Sequence, residues 1–216
     1  MIHLNLEGRA TESLQILCLG CHSDDIEIGC GGTILRLAEQ YPNAEFHWVV
    51  FNAVGVREAE AQRGATLFAG PHLKALLLKS FQDGFMPYVA GEVKTVFEKE
   101  LKQLSPDLIF THYGNDAHQD HRLIAELTWN TFRDHLILEY EIPKYDGDMG
   151  RPSVFVPLEA ELCQTKVKYL MDTFQSQRAK QWFQQDTFLS LMRLRGMECN
   201  APSSYAEAFY CRKLVL

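Results

Sequence analysis

An α/β fold built on a mostly parallel sheet is the architecture this sequence predicts, and three observations carry the prediction. Strand-sized apolar runs alternate with helical periodicity over the first two-thirds of the chain, the pattern of right-handed β-α-β crossovers. The 216 residues hold no repeat, low-complexity stretch or Ser/Gly linker, so a single domain spanning 1–216 is expected. The two segments richest in His and Asp each follow directly on an apolar run, as ligand-bearing loops do in doubly wound sheets.

The elements read as follows. SLQILCLG (14–21) is a first strand and TILRLAEQY (33–41) an amphipathic helix, with Ile34, Leu37, Ala38 and Tyr41 on one face. EFHWVVFNA (45–53), REAEAQRGATLFA (57–69) and ALLLKSF (75–81) follow as strand, helix and strand. GEVKTVFEKELKQL (91–104) spaces Val93, Val96, Phe97, Leu101 and Leu104 for burial. DLIFT (107–111) is a fourth strand, HRLIAELTWNTFRD (121–134) a helix, LILEYEI (136–142) a strand and KYDGDMGRP (144–152) a loop. A short strand SVFVPL, helices over 159–177 and 186–198, and a strand in YAEAFYCRKLVL close the chain. A strand order of 3-2-1-4 would set strands one and four side by side, with a ligand crevice at their carboxyl ends.

Composition narrows the function. With 46% hydrophobic and 23% charged residues the chain is an ordinary globular protein. Its net charge of −7, with no basic run, argues against nucleic acid as a partner. No apolar stretch reaches membrane-spanning length, and MIHLNLEGRATES lacks the layout of a signal peptide, so a cytoplasmic protein that does not enter membranes is expected. The six cysteines are then expected to be reduced thiols. Cys18 and Cys21 form a lone CxxC, but Cys18 falls inside a strand run rather than at a helix start, which disfavours redox chemistry.

The chemistry collects in CHSDDIEIGCGG (21–32) after strand one and THYGNDAHQDHR (111–122) after strand four. His22, Asp25 and His121 supply two imidazoles and a carboxylate, a recurring catalytic zinc set that leaves a position open for water. Such an ion brings the pKa of a bound water to about 7 and polarises a carbonyl. Asp24 is better placed as general base than as a second carboxylate on the same ion. His118 is positioned to stabilise an oxyanion or protonate a leaving amine, and Asp120 to orient a histidine. The competing reading is that both segments are solvated polar turns.

These residues resemble a family. CHSDDIEIGCGGT and HQDHR are similar to the AHPDDE-like and HxDH-like signatures of the PIG-L/LmbE zinc-dependent de-N-acetylases, and YAEAF (205–209) and the Arg57-Glu58 helix start are similar as well. The resemblance runs over essentially the whole chain, in the family's order. It implies a Rossmann-like three-layer sandwich and hydrolysis of an N-acetyl or related N-acyl group from an amino-sugar-containing small molecule. It carries the ligand role for one Zn2+ per chain onto His22, Asp25 and His121, the base role onto Asp24 and the transition-state role onto His118. Ser23 stands where the family usually has proline, and Ile26 where glutamate is common. Neither departure removes a ligand or the base. Family members are often multimers, so a homo-oligomer is compatible with the resemblance. An amidase of a sugar-thiol conjugate, or a catalytically degenerate metal-binding protein of the same fold, are the alternatives. An HD-type phosphohydrolase is disfavoured because the chain has no His-Asp dipeptide.

Arg57, Asp83 and Tyr145 complete the expected site as substrate-binding residues. A cation at a helix start opposes the dipole, which suggests another use for Arg57. Asp83 lies in the turn FQDGF, and Tyr145 and Arg151 in a loop expected over the crevice. GCGG (29–32) is not a dinucleotide fingerprint, and its glycines are expected to let the helix start approach the metal loop closely. His112 is left without a role, and His47 is expected to pack within its strand.

Overall fold

The computed structural model describes residues 13–215, so most of the N-terminal stretch read for export signals, and Leu216, lie outside the described residues. A seven-stranded sheet in the order β3-β2-β1-β4-β5-β7-β6 runs through it. The strands are β1 (Leu14–His22), β2 (Ala44–Asn52), β3 (Leu73–Leu78), β4 (Leu108–His112), β5 (Leu136–Tyr140), β6 (Val154–Pro157) and β7 (Ala206–Tyr210). β1 to β5 pair in parallel, and β7 and β6 close one side antiparallel. The helices are α1 (Asp25–Gln40), α2 (Val56–Ala69), α3 (Ala90–Val96), α4 (Gln119–Thr131), α5 (Ala160–Thr173) and α6 (Gln185–Glu198).

Side chains of a strand alternate between faces, and β1 shows how this makes three layers. Ile16 and Cys18 enter one core with Ile34 of α1, Ala65 of α2, Val167 of α5 and Phe188 of α6. Leu17, Leu19 and Cys21 enter the other with Val93 of α3 and Ile124 of α4. A strand covered on both faces reads as a continuous apolar run, which is why ILCLG was visible in the sequence. The same alternation sends Cys18 and Cys21 to opposite sides of the sheet, and all six cysteines are free thiols.

The main departure from the sequence reading is at α1, which begins at Asp25 rather than at residue 33. Its backbone kinks at Cys30 (φ −140°, ψ 15°), so the helix in effect starts twice. The N–H groups of Gly32 and Thr33, released by the kink, donate to the carboxylate of Glu207 on β7 at 2.8 and 2.6 Å. Lys166 of α5 donates to the same carboxylate and to the carbonyl of Ile28, both at 2.6 Å. Periodicity detected only the second start, because glycines mask the apolar face of the first. Those glycines serve core packing rather than the approach to the metal loop. A Cβ on Gly29 would lie 2.2 Å from the ring of Tyr140, and one on Gly31 would lie 2.5 Å from Phe68.

Gly29→Ala therefore reverses the usual helix preference. An interior Gly→Ala change ordinarily stabilises a helix by about 0.5–1 kcal/mol, but overpacking against a buried aromatic costs about 1–3 kcal/mol. Chemical denaturation should show Gly29→Ala destabilised and Gly91→Ala, whose Cβ meets nothing within 4 Å, neutral or stabilised. A stabilised Gly29→Ala would refute the packing assignment.

Candidate metal centre

Two neighbouring strands, β1 and β4, deliver the site. His22 is the last residue of β1, Asp24 caps α1 and Asp25 opens it. His112 ends β4, and His118 caps α4, with Asp120 and His121 in its first turn. Both polar segments thus lie at strand ends and helix starts rather than in free loops, where the backbone holds them rigidly.

Three atoms converge. His22 Nδ1 lies 3.2 Å from His121 Nε2 and 3.3 Å from Asp25 Oδ2, and His121 Nε2 lies 3.5 Å from Asp25 Oδ2. A tetrahedral ion with bonds of about 2.0–2.1 Å separates its ligands by about 3.3 Å, so the triangle has the size of a zinc face. The far nitrogens agree with that use. His22 Nε2 meets Asp83 Oδ1 at 2.9 Å and His121 Nδ1 meets Asp116 Oδ2 at 3.0 Å. With those nitrogens donating to carboxylates, the lone pairs of His22 Nδ1 and His121 Nε2 face the centre, the tautomers a cation requires.

Electrostatics follow the same geometry. Burial raises the Asp25 carboxyl, but His121, His112 and His22 outweigh it and hold the group well below its usual range. Burial lowers His22, yet Asp25 and the hydrogen-bonding carboxylates push it well above an ordinary imidazole. His121 goes the other way, to about 4, through burial and the neighbouring His112. Asp24 is held separately by Arg57, whose Nη2 donates to Asp24 Oδ1. Burial first, and Asp25 next among the raising causes, lift the Asp24 carboxyl against the pull of Arg57. A carboxylate with a raised pKa is a stronger base, which suits proton abstraction.

Several residues sit differently from their expected roles. Asp120 faces His22, its carboxylate 3.8 Å from His22 Nε2, and the same carboxylate accepts the backbone N–H groups of Gly84 (2.6 Å) and Met86 (3.2 Å). It bears on His22 across that gap, as expected, and also by fixing the loop that carries Asp83. Asp83 is the direct partner of His22, and Arg57 the partner of Asp24, where both had been expected on substrate. Tyr145 is exposed and its hydroxyl accepts the Gln181 N–H, so it stands at the rim, outside the cluster. His118 accepts the Asp120 N–H at Nδ1, and its Nε2 lies 3.9 Å from Asp83 Oδ1.

Two residues were missed. Asp116, five positions before His121, holds that histidine's outer nitrogen and is itself held by Lys144 at 3.0 Å. It lies within the polar segment, but nothing in the spacing separated it from Asp120. His112 stacks on His121 with ring centroids 3.9 Å apart and comes within 3.2 Å of Asp25. Its Nε2 accepts the Cys21 N–H at 2.9 Å and lies 3.2 Å from the Tyr140 hydroxyl. It is packed behind the three converging atoms. Ring nitrogens and carboxylates of His22, Asp83, His118 and Asp120, and of Asp25, His112 and His121, also lie within 4.8 Å of one another.

Comparison with known proteins gives a concordant picture. A family model described as PIG-L, GlcNAc-PI de-N-acetylase, matches residues 17–132. YaiS of Escherichia coli K12, named an uncharacterised deacetylase, is 28% identical over 151 residues, which is 64% of this chain and 79% of YaiS. Among solved structures, the N,N'-diacetylchitobiose deacetylase of Pyrococcus horikoshii superposes with a TM-score of 0.71 at 19% identity, over 96% of this chain and 86% of that one. GalB of Pseudomonas putida KT2440, a 4-carboxy-2-hydroxymuconate hydratase, gives 0.70 at 15% identity, over 94% and 97%. At those identities the likeness is one of fold.

The histidines make a testable pair. In chelator-treated protein, NMR titration should find His121 changing charge near pH 4 and His22 well above the ordinary value of about 6.5. His121 is protonated more readily when unfolded, so its contribution to stability is present above about pH 6.5 and is lost as pH falls toward 4. His22 has the opposite sign, contributing below about 6.5 and losing that contribution as pH rises through its folded value. Coincident titration of both near 6.5 would refute this electrostatic picture.

Proposed function

Because the chain belongs to the GlcNAc-PI de-N-acetylase (PIG-L) family, as the match over residues 17–132 establishes, we propose that it is a zinc-dependent hydrolase that removes an N-acetyl group from an amino-sugar-containing small molecule. The observation that carries the reading is the triangle of His22 Nδ1, Asp25 Oδ2 and His121 Nε2, with edges of 3.2–3.5 Å, beside a separately held carboxylate.

One Zn2+ per chain, held by those three atoms, would supply Lewis acidity and a water acidic enough to react at neutral pH. Asp24 accepts the proton of the attacking water. Arg57 holds that carboxylate and balances its charge in a buried place. His118, with Nδ1 taken by the Asp120 N–H and its pKa lowered by burial and by His22, uses Nε2 to hydrogen-bond the developing oxyanion or the departing amine. The amide C–N bond breaks, acetate keeps the water oxygen, and the amine leaves with a proton. Asp83 and Asp116 fix the two imidazoles; Asp120 holds the loop that brings Asp83. A net charge of −7 suits a small-molecule substrate better than nucleic acid. Among the described residues no helix is long and apolar enough to cross a membrane.

The direct test is acetate release from soluble N-acetylglucosamine conjugates by the zinc-loaded protein. Acetate and free amine should appear in equal amounts, stop with a chelator and return with zinc. A fully metallated protein that releases no acetate across such a panel would overturn the reading.

Variants separate the roles. His22→Ala and His121→Ala should each lose zinc by elemental analysis, whereas full metal content in both would remove the ligand assignment. Asp116→Asn should keep the fold and weaken zinc affinity about 10–100-fold in competition with a chelator. Asp24→Asn should retain zinc and lose about 10²–10⁴ in turnover, while Asp25→Asn loses metal first. The reverse pattern would exchange the base and ligand labels. His118→Ala should retain zinc and lose about 10²–10³ in turnover; near-normal turnover would make it a bystander.

A further inference from the structure

The connection between β5 and β6 reaches the metal centre through one cation. Lys144 Nζ lies 2.6 Å from Asp148 Oδ2, 3.0 Å from Asp116 Oδ2 and 3.8 Å from Asp146 Oδ2, and its side chain is only 10% exposed. Burial lowers its pKa, but Asp148 and Asp116 outweigh burial and raise it above the ordinary lysine value, so the group keeps its proton. The turn it touches is shaped by other bonds. Asp148 Oδ2 accepts the Ala117 N–H at 2.7 Å and Asp116 Oδ1 the His118 N–H at 2.8 Å. Arg122 Nη1 donates to the carbonyls of Asp116 and Ala117 at 2.8 and 2.5 Å. Lys144 therefore adds a charge where the backbone is already fixed.

The oxygen it touches is the informative one. Asp116 Oδ2 meets both Lys144 Nζ and His121 Nδ1, each at 3.0 Å. A carboxylate on the outer nitrogen of a ligating imidazole raises the basicity of the ring. A cation on the same oxygen withdraws part of that effect, because the oxygen then shares its charge between two donors. The counterpart on His22 is treated differently. The Asp83 side chain is 58% exposed, so water screens it, whereas that of Asp116 is 3% exposed. At Asp116 the ammonium does the screening that water does at Asp83.

We propose that Lys144 is a positioning residue whose charge, acting through Asp116, limits the donor strength of His121, so that the chain grips its metal ion less tightly and leaves the ion more electrophilic. The inference rests on the zinc reading of the site. It differs in sign from a structural clamp. Removing a clamp loosens the ion, whereas removing this charge tightens it, both by freeing the Asp116 oxygen for His121 and by taking a positive charge from the neighbourhood of a dication.

Competition with a chelator reads the charge without turnover. Lys144→Met and Lys144→Gln should each hold zinc tighter by about three- to tenfold, less than the effect of a partner that touches the ligand itself, because the charge acts one residue further out. Lys144→Arg should match the unaltered protein. By NMR, the His121 Nδ1 proton should move downfield in the Met and Gln variants, zinc-loaded and chelator-treated alike, as the Asp116 oxygen becomes a stronger acceptor. Zinc held equally or more weakly in both variants, or a Gln variant indistinguishable from Lys144, would make the residue a clamp and overturn the inference. Asp148→Asn leaves the ammonium more fully to Asp116 and should shift both readouts the other way. Tighter zinc in Asp148→Asn would overturn the inference even if the Lys144 variants do not fold. An unaltered protein that takes up no zinc overturns the metal reading instead, and the Nδ1 proton of chelator-treated protein then tests the link from Lys144 to His121 by itself.

Discussion

One carboxylate oxygen holds the functional edge of this protein together. Asp25 Oδ2 accepts the backbone N–H of His22 at 2.6 Å and lies 3.2, 3.3 and 3.5 Å from ring nitrogens of His112, His22 and His121. It joins the ends of two strands to the starts of two helices. An ionised carboxylate this deeply buried is sustained only by the positive charge and donors around it. The surrounding imidazoles supply that charge through a proton or through a cation, and the triangle has the dimensions for the cation.

The remaining parts of the site orient groups toward that oxygen or keep groups away from it. Asp83 and Asp116 occupy the outer nitrogens of His22 and His121, turning both lone pairs inward. Asp120 lies 3.8 Å from His22 Nε2 and also grips the backbone of residues 84 and 86. Arg57 pairs with Asp24, so two adjacent carboxylates acquire different environments, one surrounded by histidines and the other paired with a guanidinium. Adjacent residues at a helix start diverge in this way without the extended backbone that alternation would require.

A second polar cluster steadies α1 from behind. Glu207 caps the kinked second half of the helix and receives Lys166, which also holds the Ile28 carbonyl. Close by, Arg195 meets Glu141 through two nitrogens at 2.7 and 2.8 Å. Burying such pairs is costly unless each is fully hydrogen-bonded. Here the first ties β7 and α5 to the helix that presents Asp24 and Asp25, and the second ties α6 to the segment that follows β5. The YAEAF segment, noticed in the sequence only for its likeness to a family, thus has a structural reason.

What the sequence by itself determined was alternation and adjacency. Strand-sized apolar runs and period-3.6 patterns marked the strands and helices, and the supposition of a 3-2-1-4 strand order was enough to bring His22, Asp25 and His121 to one crevice. The start of α1 was hidden because Gly29, Gly31 and Gly32 carry no apolar signal, and the ring that needs Gly29 belongs to β5, 111 residues away along the chain. Only the tertiary structure decided which carboxylate serves which imidazole. Asp116 and Asp120 are equally polar neighbours of His121 in sequence, yet one bonds its ring and the other grips a loop from β3. Side-chain direction at a helix start depends on backbone and packing from distant segments, and a one-dimensional pattern does not encode that.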